Sequence, residues 1–196
     1  TGLGGGAVGG MKALIKLATA QALERKQFGR PIAEFGMVRE KIAQMMVDCF
    51  AAESAVWMVA HYIDSGCDDY SAEAAMSKVF ASDAIQRTAH EALQIAAGNG
   101  FMKEFPYEQV VRDSRILTIF EGTNEINRLF LSDWLRRKGV SLAAAGDSWI
   151  SELAGIALAQ EANNQIKTGA QSDLVMLAYA EQSARLRAQQ VGGVHE

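Results

Sequence analysis

Proline occurs only twice in 196 residues, at Pro31 and Pro106, so the chain between and beyond them is free to run in long helices. From Val38 the apolar residues Ile42, Met45, Met46, Cys49, Ala52, Val56, Val59, Ala60 and Ile63 recur at steps of three and four, which predicts one long amphipathic helix. Ser65-Gly66 stops it, because glycine takes the left-handed conformation that ends helices, and Asp68, Asp69 and Ser71 offer caps to the next. A second, alanine-rich stretch runs from about Ala72 to Ala97 and ends at Gly98-Asn99-Gly100. A third precedes both, from about Gly5 to Arg25, ending near Phe28-Gly29-Arg30-Pro31. A fourth runs from about Asn124 to Lys138 and stops at Gly139. Helices of this length with short connections bury their apolar stripes most economically in an antiparallel up-and-down four-helix bundle, so the expected fold class is all-α, with additional carboxy-terminal helices.

Beyond Gly139 the pattern weakens. An Ala/Gly/Ser-rich stretch leads to two fainter helical patterns, near Trp149 to Glu161 and Ser172 to Gln190, and a polar tail at Gly192-Gly193. A boundary near Leu142 divides the bundle, residues 1–141, from a helical carboxy-terminal extension, residues 142–196. Trp149, Ile150, Leu153, Ile156, Ala157 and Leu158 form an apolar stripe in that extension. Its polar face lacks the Lys/Arg enrichment of helices that bind anionic membranes, which favours packing on the bundle or on a second subunit over a peripheral membrane contact. The chain opens at Thr1-Gly2-Leu3-Gly4 without an initiator Met, as expected of part of a longer protein.

Charge and motif counts exclude several functions. A formal charge of -4, with Lys and Arg scattered along the chain, carries no electrostatic footprint for nucleic acid. Cys49 and Cys67 are separated by a helical stretch that keeps them beyond bridging distance, and they read as free thiols in a reducing compartment. No run of about 18 apolar residues marks a bilayer span. His61, His90 and His195 stand alone, so no metal is assigned. Gly4, Gly6 and Gly9 satisfy G-x-G-x-x-G, but that fingerprint works after a β-strand, and none precedes it. Small residues here instead let a helix approach a neighbour closely.

The segment Ile119-Phe120-Glu121-Gly122-Thr123-Asn124-Glu125 is more informative. An acid follows the apolar residues Ile116, Leu117, Ile119 and Phe120 and precedes a helix start. Partial burial of Glu121 would disfavour its carboxylate and raise its pKa, as a base working near neutral pH requires. Gly122 permits close backbone approach, Thr123 and Asn124 supply capping oxygens, and the free amides beyond them can receive an anion. On the residues alone, an ordinary capping loop with a surface carboxylate is the simpler reading, and a catalytic carboxylate the sharper one.

Three separated stretches then carry a resemblance. Glu24-Arg25-Lys26-Gln27-Phe28-Gly29-Arg30-Pro31-Ile32 resembles E-R-x-x-F-G-x-x-[IL] of the acyl-CoA dehydrogenases. Gln94-Ile95-Ala96-Ala97-Gly98-Asn99-Gly100-Phe101 resembles their Q-I-x-G-G-x-G-F, and Arg112-Asp113 through Asn124 their R-D-x-[KR]-I-x-x-I-[YF]-E-G-T-[NS]. The motifs stand in family order over about residues 4 to 138. Phe101-Met102-Lys103-Glu104 and the chain beyond the fourth helix look most like the very-long-chain branch, whose members carry an extra carboxy-terminal region.

The resemblance implies α,β-dehydrogenation of a fatty acyl-CoA, with FAD as cofactor and Glu121 as the base. It implies that the backbone N–H of Glu121 and a flavin ribityl hydroxyl polarise the thioester carbonyl, with Phe120 and Gly122 lining the substrate. Thr123, Asn124 and Glu125 would lie along the FAD, while Arg25, Gln27, Phe28, Gln94 and Gly98 would reach the FAD of a neighbouring subunit. It further implies a homodimer or tetramer that hands electrons to an electron-transferring flavoprotein. The matching location is cytoplasmic in a bacterium, or the mitochondrial matrix or inner-membrane surface in a eukaryote. Two positions depart from the pattern: Ala97 replaces the first glycine of a pair, and Glu125 stands where many relatives have Gln or Asp. Some branches place the base on the first bundle helix, but no Asp or Glu occurs from Thr1 to Leu23. A different class of function stays open, a non-catalytic helical scaffold or oligomerisation module. Family members bind flavin between this bundle and an amino-terminal helical domain plus β-barrel, neither of which this sequence contains.

Overall fold

The computed structural model describes residues 2–143 and 165–192. Long helices α1 (Gly2–Glu24), α2 (Gly36–Asp64), α3 (Ser71–Ala96) and α6 (Asn124–Ala143) build the bundle. A single turn, α4 (Gly98–Phe101), and a short helix, α5 (Tyr107–Arg115), connect α3 to α6, and α7 (Gln165–Gly192) belongs to the extension. The fold is all-α. Among the described residues the only strands are β1 (Lys26–Gln27) and β2 (Arg30–Pro31), a two-residue antiparallel ladder. Phe28 and Gly29 between them have φ of 51° and 82°, the paired left-handed positions whose twist suits a tight hairpin.

Small side chains set the helix spacing. A Cβ on Gly4 would stand 2.8 Å from Val56 of α2, and one on Gly10 would stand 2.7 Å from Ile85 of α3, so these two glycines let α1 lie close to both neighbours. The ion pairs Lys41 with Glu91 and Asp48 with Arg87 join low numbers on α2 to high numbers on α3, which fixes the two helices as antiparallel. Helix α3 is central, touching α1, α2, α4, α5, α6 and α7. Its buried Ala75, Ala81, Ala84, Ala89, Ala92 and Ala96 admit neighbours on nearly every side.

Helix α7 packs onto this bundle. Val175, Met176 and Tyr179 of α7 share a core cluster with Leu131 and Leu135 of α6 and with Ala55, Met58 and Val59 of α2. Each large side chain so buried contributes roughly 1.5–3 kcal/mol. Polar clips fix the register: Tyr179 donates to the Ala55 carbonyl at 3.1 Å, Arg187 pairs with Glu53 at 2.8 Å, and Arg128 pairs with Asp173 at 2.7 Å. The stripe expected at Trp149, Ile150, Leu153, Ile156, Ala157 and Leu158 lies outside the described residues.

Two expectations are corrected, and one helix had none. Helix α6 does not stop at Gly139 but runs to Ala143; an interior glycine costs only about 1 kcal/mol, less than the packing of α6 on α7 returns. Helix α5 went unpredicted, because its nine residues are mostly polar and bury only Tyr107 and Ser114. Helix α2 is, by length and composition, apolar enough to cross a bilayer, contrary to the expectation that no such stretch exists. Met45, Cys49, Ala52, Ala55 and Val59 are nevertheless buried against other helices, as in the core helix of a bundle.

Candidate active site

Glu121 sits where two helices meet. Helix α5 passes into a 3-10 turn, Ile116–Thr118, and the chain then reverses into α6. Glu121 and Gly122 have φ of 55° and 83°. The left-handed region costs a residue with a side chain about 1–2 kcal/mol, so the turn must be held from outside, and strain of this kind is characteristic of functional loops.

The holding is done by a buried polar network. The Gly122 carbonyl accepts hydrogen bonds from Lys78 Nζ of α3 and from Asn127 Nδ2, each at 2.8 Å. The Asn124 side chain, 2% exposed, accepts from Lys78 Nζ at 2.7 Å and donates to Ser82 at 2.9 Å and Asp83 at 2.8 Å. Arg128 bridges Asp83 at 2.9 Å and Asp173 of α7 at 2.7 Å. Thr123 caps α6, its hydroxyl oxygen accepting the Ile126 N–H at 3.3 Å.

Charge in this network follows from burial and pairing. Burial holds the Lys78 amine below its ordinary pKa, although Asp83, Glu121 and Glu125 favour its charged form. Burial also opposes the Arg128 guanidinium, but hydrogen bonds to Asp173 and Asp83 outweigh it and push that pKa up. The Glu125 carboxylate is held below the usual range by its own backbone N–H and the Thr123 hydroxyl at the start of α6.

Glu121 itself is exposed, and Ile119 and Phe120 beside it are half-exposed, which corrects the expectation of partial burial within this chain. The reversal into α6 turns all three outward, and no described element covers them. Ile116 and Ile119 line an open trough of about 780 Å³ between α3 and α5, walled also by His90, Arg112 and Arg115. One wall of a site is present.

The second group of expected residues gathers elsewhere. Arg25, Gln27, Phe28 and Gln94 line a groove of about 410 Å³ together with Ile32, Phe35 and Ala97. Phe28 is 93% exposed at the hairpin tip, its ring edge-on to Phe35 with centroids 6.2 Å apart, and Arg30 stacks over Phe35 at 4.3 Å. Gly98 opens α4 directly after Ala97. Ala97 has φ of 54° and ψ of -126°, a conformation suited to the glycine that the family pattern carries there. From Lys78 to Gln94 the axis of α3 spans about 24 Å, so the Glu121 loop and the groove occupy different ends of one helix.

Lys78, Asp83 and Arg128 were not singled out from the sequence. The signal for Lys78 was present: a lone lysine among Ala74, Ala75, Ala81 and Ser82, its neighbours three and four residues away, sits on a face built for the core. Its partners on the loop and α6 are not written in that pattern.

Residues 1–135 match the family model for the acyl-CoA dehydrogenase C-terminal domain, and the chain belongs to that family. The mitochondrial very long-chain specific acyl-CoA dehydrogenase of Rattus norvegicus is 41% identical over 161 residues, covering 81% of this chain and 25% of that protein. An acyl-CoA dehydrogenase of Bacillus subtilis is 40% identical over 134 residues, covering 68% of this chain and 35% of that protein. The crystal structure of an acyl-CoA dehydrogenase from Bacillus anthracis complexed with FAD matches with a TM-score of 0.83 at 30% identity, over 95% of this chain and 41% of that one. The chain thus spans a quarter of the first relative's length and about two fifths of the last, and the match to the last takes in most of α7.

Proposed function

We propose that this chain is the carboxy-terminal part of a flavin-dependent acyl-CoA dehydrogenase in which Glu121 removes the α-proton of a fatty acyl-CoA thioester. The observation that carries the reading is the left-handed Glu121-Gly122 turn, which projects an exposed carboxylate from a loop fixed to the bundle by Lys78 and Asn124. As the α and β C–H bonds break, the double bond forms between those carbons and the α-proton goes to the Glu121 carboxylate. Bound FAD supplies the acceptor for the hydride leaving the β carbon. The α C–H is a very weak acid, so the thioester carbonyl needs fixed donors aimed at the developing charge. The Glu121 backbone N–H, held by the anchored turn, serves as one, while Phe120 and Gly122 line the thioester. Exclusion of water from the exposed Glu121 falls to the rest of the protein.

The groove residues fit a dinucleotide flavin from a neighbouring subunit. Arg25 makes no ion pair among the described residues, and its planar guanidinium suits paired hydrogen bonds to a pyrophosphate. Gln27 and Gln94 present amides beside it, and the exposed Phe28 ring offers a face for a flat group. Thr123, Asn124, Glu125 and Gly98 complete the cofactor set in this reading, Asn124 through its backbone, since its side chain is spent inside. The whole protein assembles as a homodimer or tetramer and passes electrons to an electron-transferring flavoprotein.

The exposed state of Glu121 favours a second statement, that the isolated chain is a helical scaffold without turnover. Mixing palmitoyl-CoA with FAD and the full-length protein should bleach the flavin, whereas the isolated chain should leave it oxidised. Vigorous bleaching by the isolated chain overturns that division, and none by the full-length protein overturns the dehydrogenase reading.

A further inference from the structure

Of the two donors to the Gly122 carbonyl, only one comes from outside the loop and the helix it opens. Asn127 lies on α6, the helix that the loop itself opens, whereas Lys78 lies on α3, which touches six other helices. We propose that Lys78 is the positioning residue of the Glu121 loop, fixing the Gly122 carbonyl and the Asn124 side chain against α3 and so setting where the Glu121 carboxylate stands. The inference rests on Glu121 being the base.

Stability does not account for this lysine. It is 6% exposed, and desolvating an ammonium disfavours folding unless the surroundings repay it. Asp83 on its own helix, with Glu121 and Glu125 on the loop and α6, supplies compensating charge, while Arg128 faces it as a like charge. The Gly122 carbonyl holds a second donor, Asn127 Nδ2, whereas Asn124 Oδ1 has besides Lys78 only Ser82 Oγ at 3.3 Å, whose one hydrogen also faces the Val79 carbonyl at 3.0 Å. Lys78→Met nearly conserves volume, removes the desolvated charge and leaves the Gly122 carbonyl satisfied, against a weakened hydrogen bond at Asn124 Oδ1. What it removes is the one hydrogen bond, among the described residues, from α3 to the Gly122 carbonyl beside Glu121, while Asn124 keeps its bonds to Ser82 and Asp83. A misplacement of about 1 Å at a reacting group costs roughly 10²-fold in rate, so the lysine's effect falls on chemistry rather than on folding.

The test uses the full-length flavoprotein, comparing wild type, Lys78→Met and Glu121→Gln for Tm, flavin content, palmitoyl-CoA affinity and the rate of flavin bleaching. Lys78→Met should keep Tm within a few degrees of wild type, about the size of one exchanged hydrogen bond, and hold flavin and palmitoyl-CoA within about threefold, while bleaching slows roughly 10²-fold. Bleaching within about threefold of wild type, with Glu121→Gln inert, overturns the role of Lys78 and leaves the base assignment standing. Bleaching by Glu121→Gln at the wild-type rate removes the base assignment and this proposal with it. Should Lys78→Met not fold, Lys78→Gln retains an N–H donor of similar reach. The proposal then requires that variant to fold with flavin and bleach more slowly than wild type, and its failure to fold shows the lysine to be structural.

Discussion

The two ends of α3 handle polar groups in opposite ways. Near its start, Lys78, Ser82 and Asp83 close a network with Asn124 and Arg128, in which Lys78 donates to two neutral oxygens and Asp83 pairs with Arg128. Near its end, Gln94 shares a groove with Arg25 and Phe28, where the guanidinium has no carboxylate among the described residues and the ring stands 93% exposed. A saturated network holds backbone geometry; unsaturated donors around an open groove are arranged to take something from outside. The same helix thus fixes one loop internally and presents another for binding.

Substitutions at the two ends should separate these roles. Arg25→Ala in the full-length protein should weaken FAD binding by about 10- to 100-fold, the loss of one charge-assisted contact, read by flavin fluorescence titration. Stability of the isolated chain should barely change; equal damage to both makes Arg25 a structural residue. Arg128→Ala should do the reverse, lowering stability by about 2 kcal/mol, less than the roughly 3–5 of a fully buried pair because Asp83 and Asp173 keep some solvent. Urea denaturation decides, and an unchanged midpoint breaks the claim that the network holds the loop.

Two smaller effects sharpen the comparison. Ala97→Gly relieves a left-handed alanine at the groove end and should raise stability by about 1 kcal/mol, seen as a higher Tm; a lower Tm means that the surroundings have adapted to the methyl group. At α7, burial disfavours the Glu53 carboxylate, but hydrogen bonds from Lys12 and Arg187 outweigh it and hold the pKa below the usual range. A depressed carboxylate contributes stability above its unfolded value and loses it as pH falls through the folded value. Unfolding free energy should therefore drop by about 0.5 kcal/mol more in wild type than in Glu53→Gln between roughly pH 5 and pH 3. Parallel pH curves contradict the clip.

What was legible follows the range of the forces involved. The periods of α1, α2 and α3 placed these helices within a few residues, because each buries a continuous stripe. The hairpin around Phe28-Gly29 and the polar α5 carry no such stripe and were missed. Ala97 was visible as a departure from pattern, but its left-handed backbone was not. Motif likeness singled out Arg25, Gln94 and Glu121 as residues; it did not show that α3 sets them at two ends. The Lys78 ties span 44 and 46 residues of sequence, and no local pattern encodes which loop a buried lysine meets. The apolar neighbours of Glu121 in sequence suggest a cover that, within this chain, Ile119 and Phe120 do not form.

The base itself is most directly tested by the fate of the α-hydrogen. With α-deuterated palmitoyl-CoA and the full-length flavoprotein, the wild type should release deuterium to solvent, and Glu121→Gln should slow that release by at least about 10² while retaining its flavin. Release at the wild-type rate from a flavin-loaded Glu121→Gln enzyme would contradict the account at its centre.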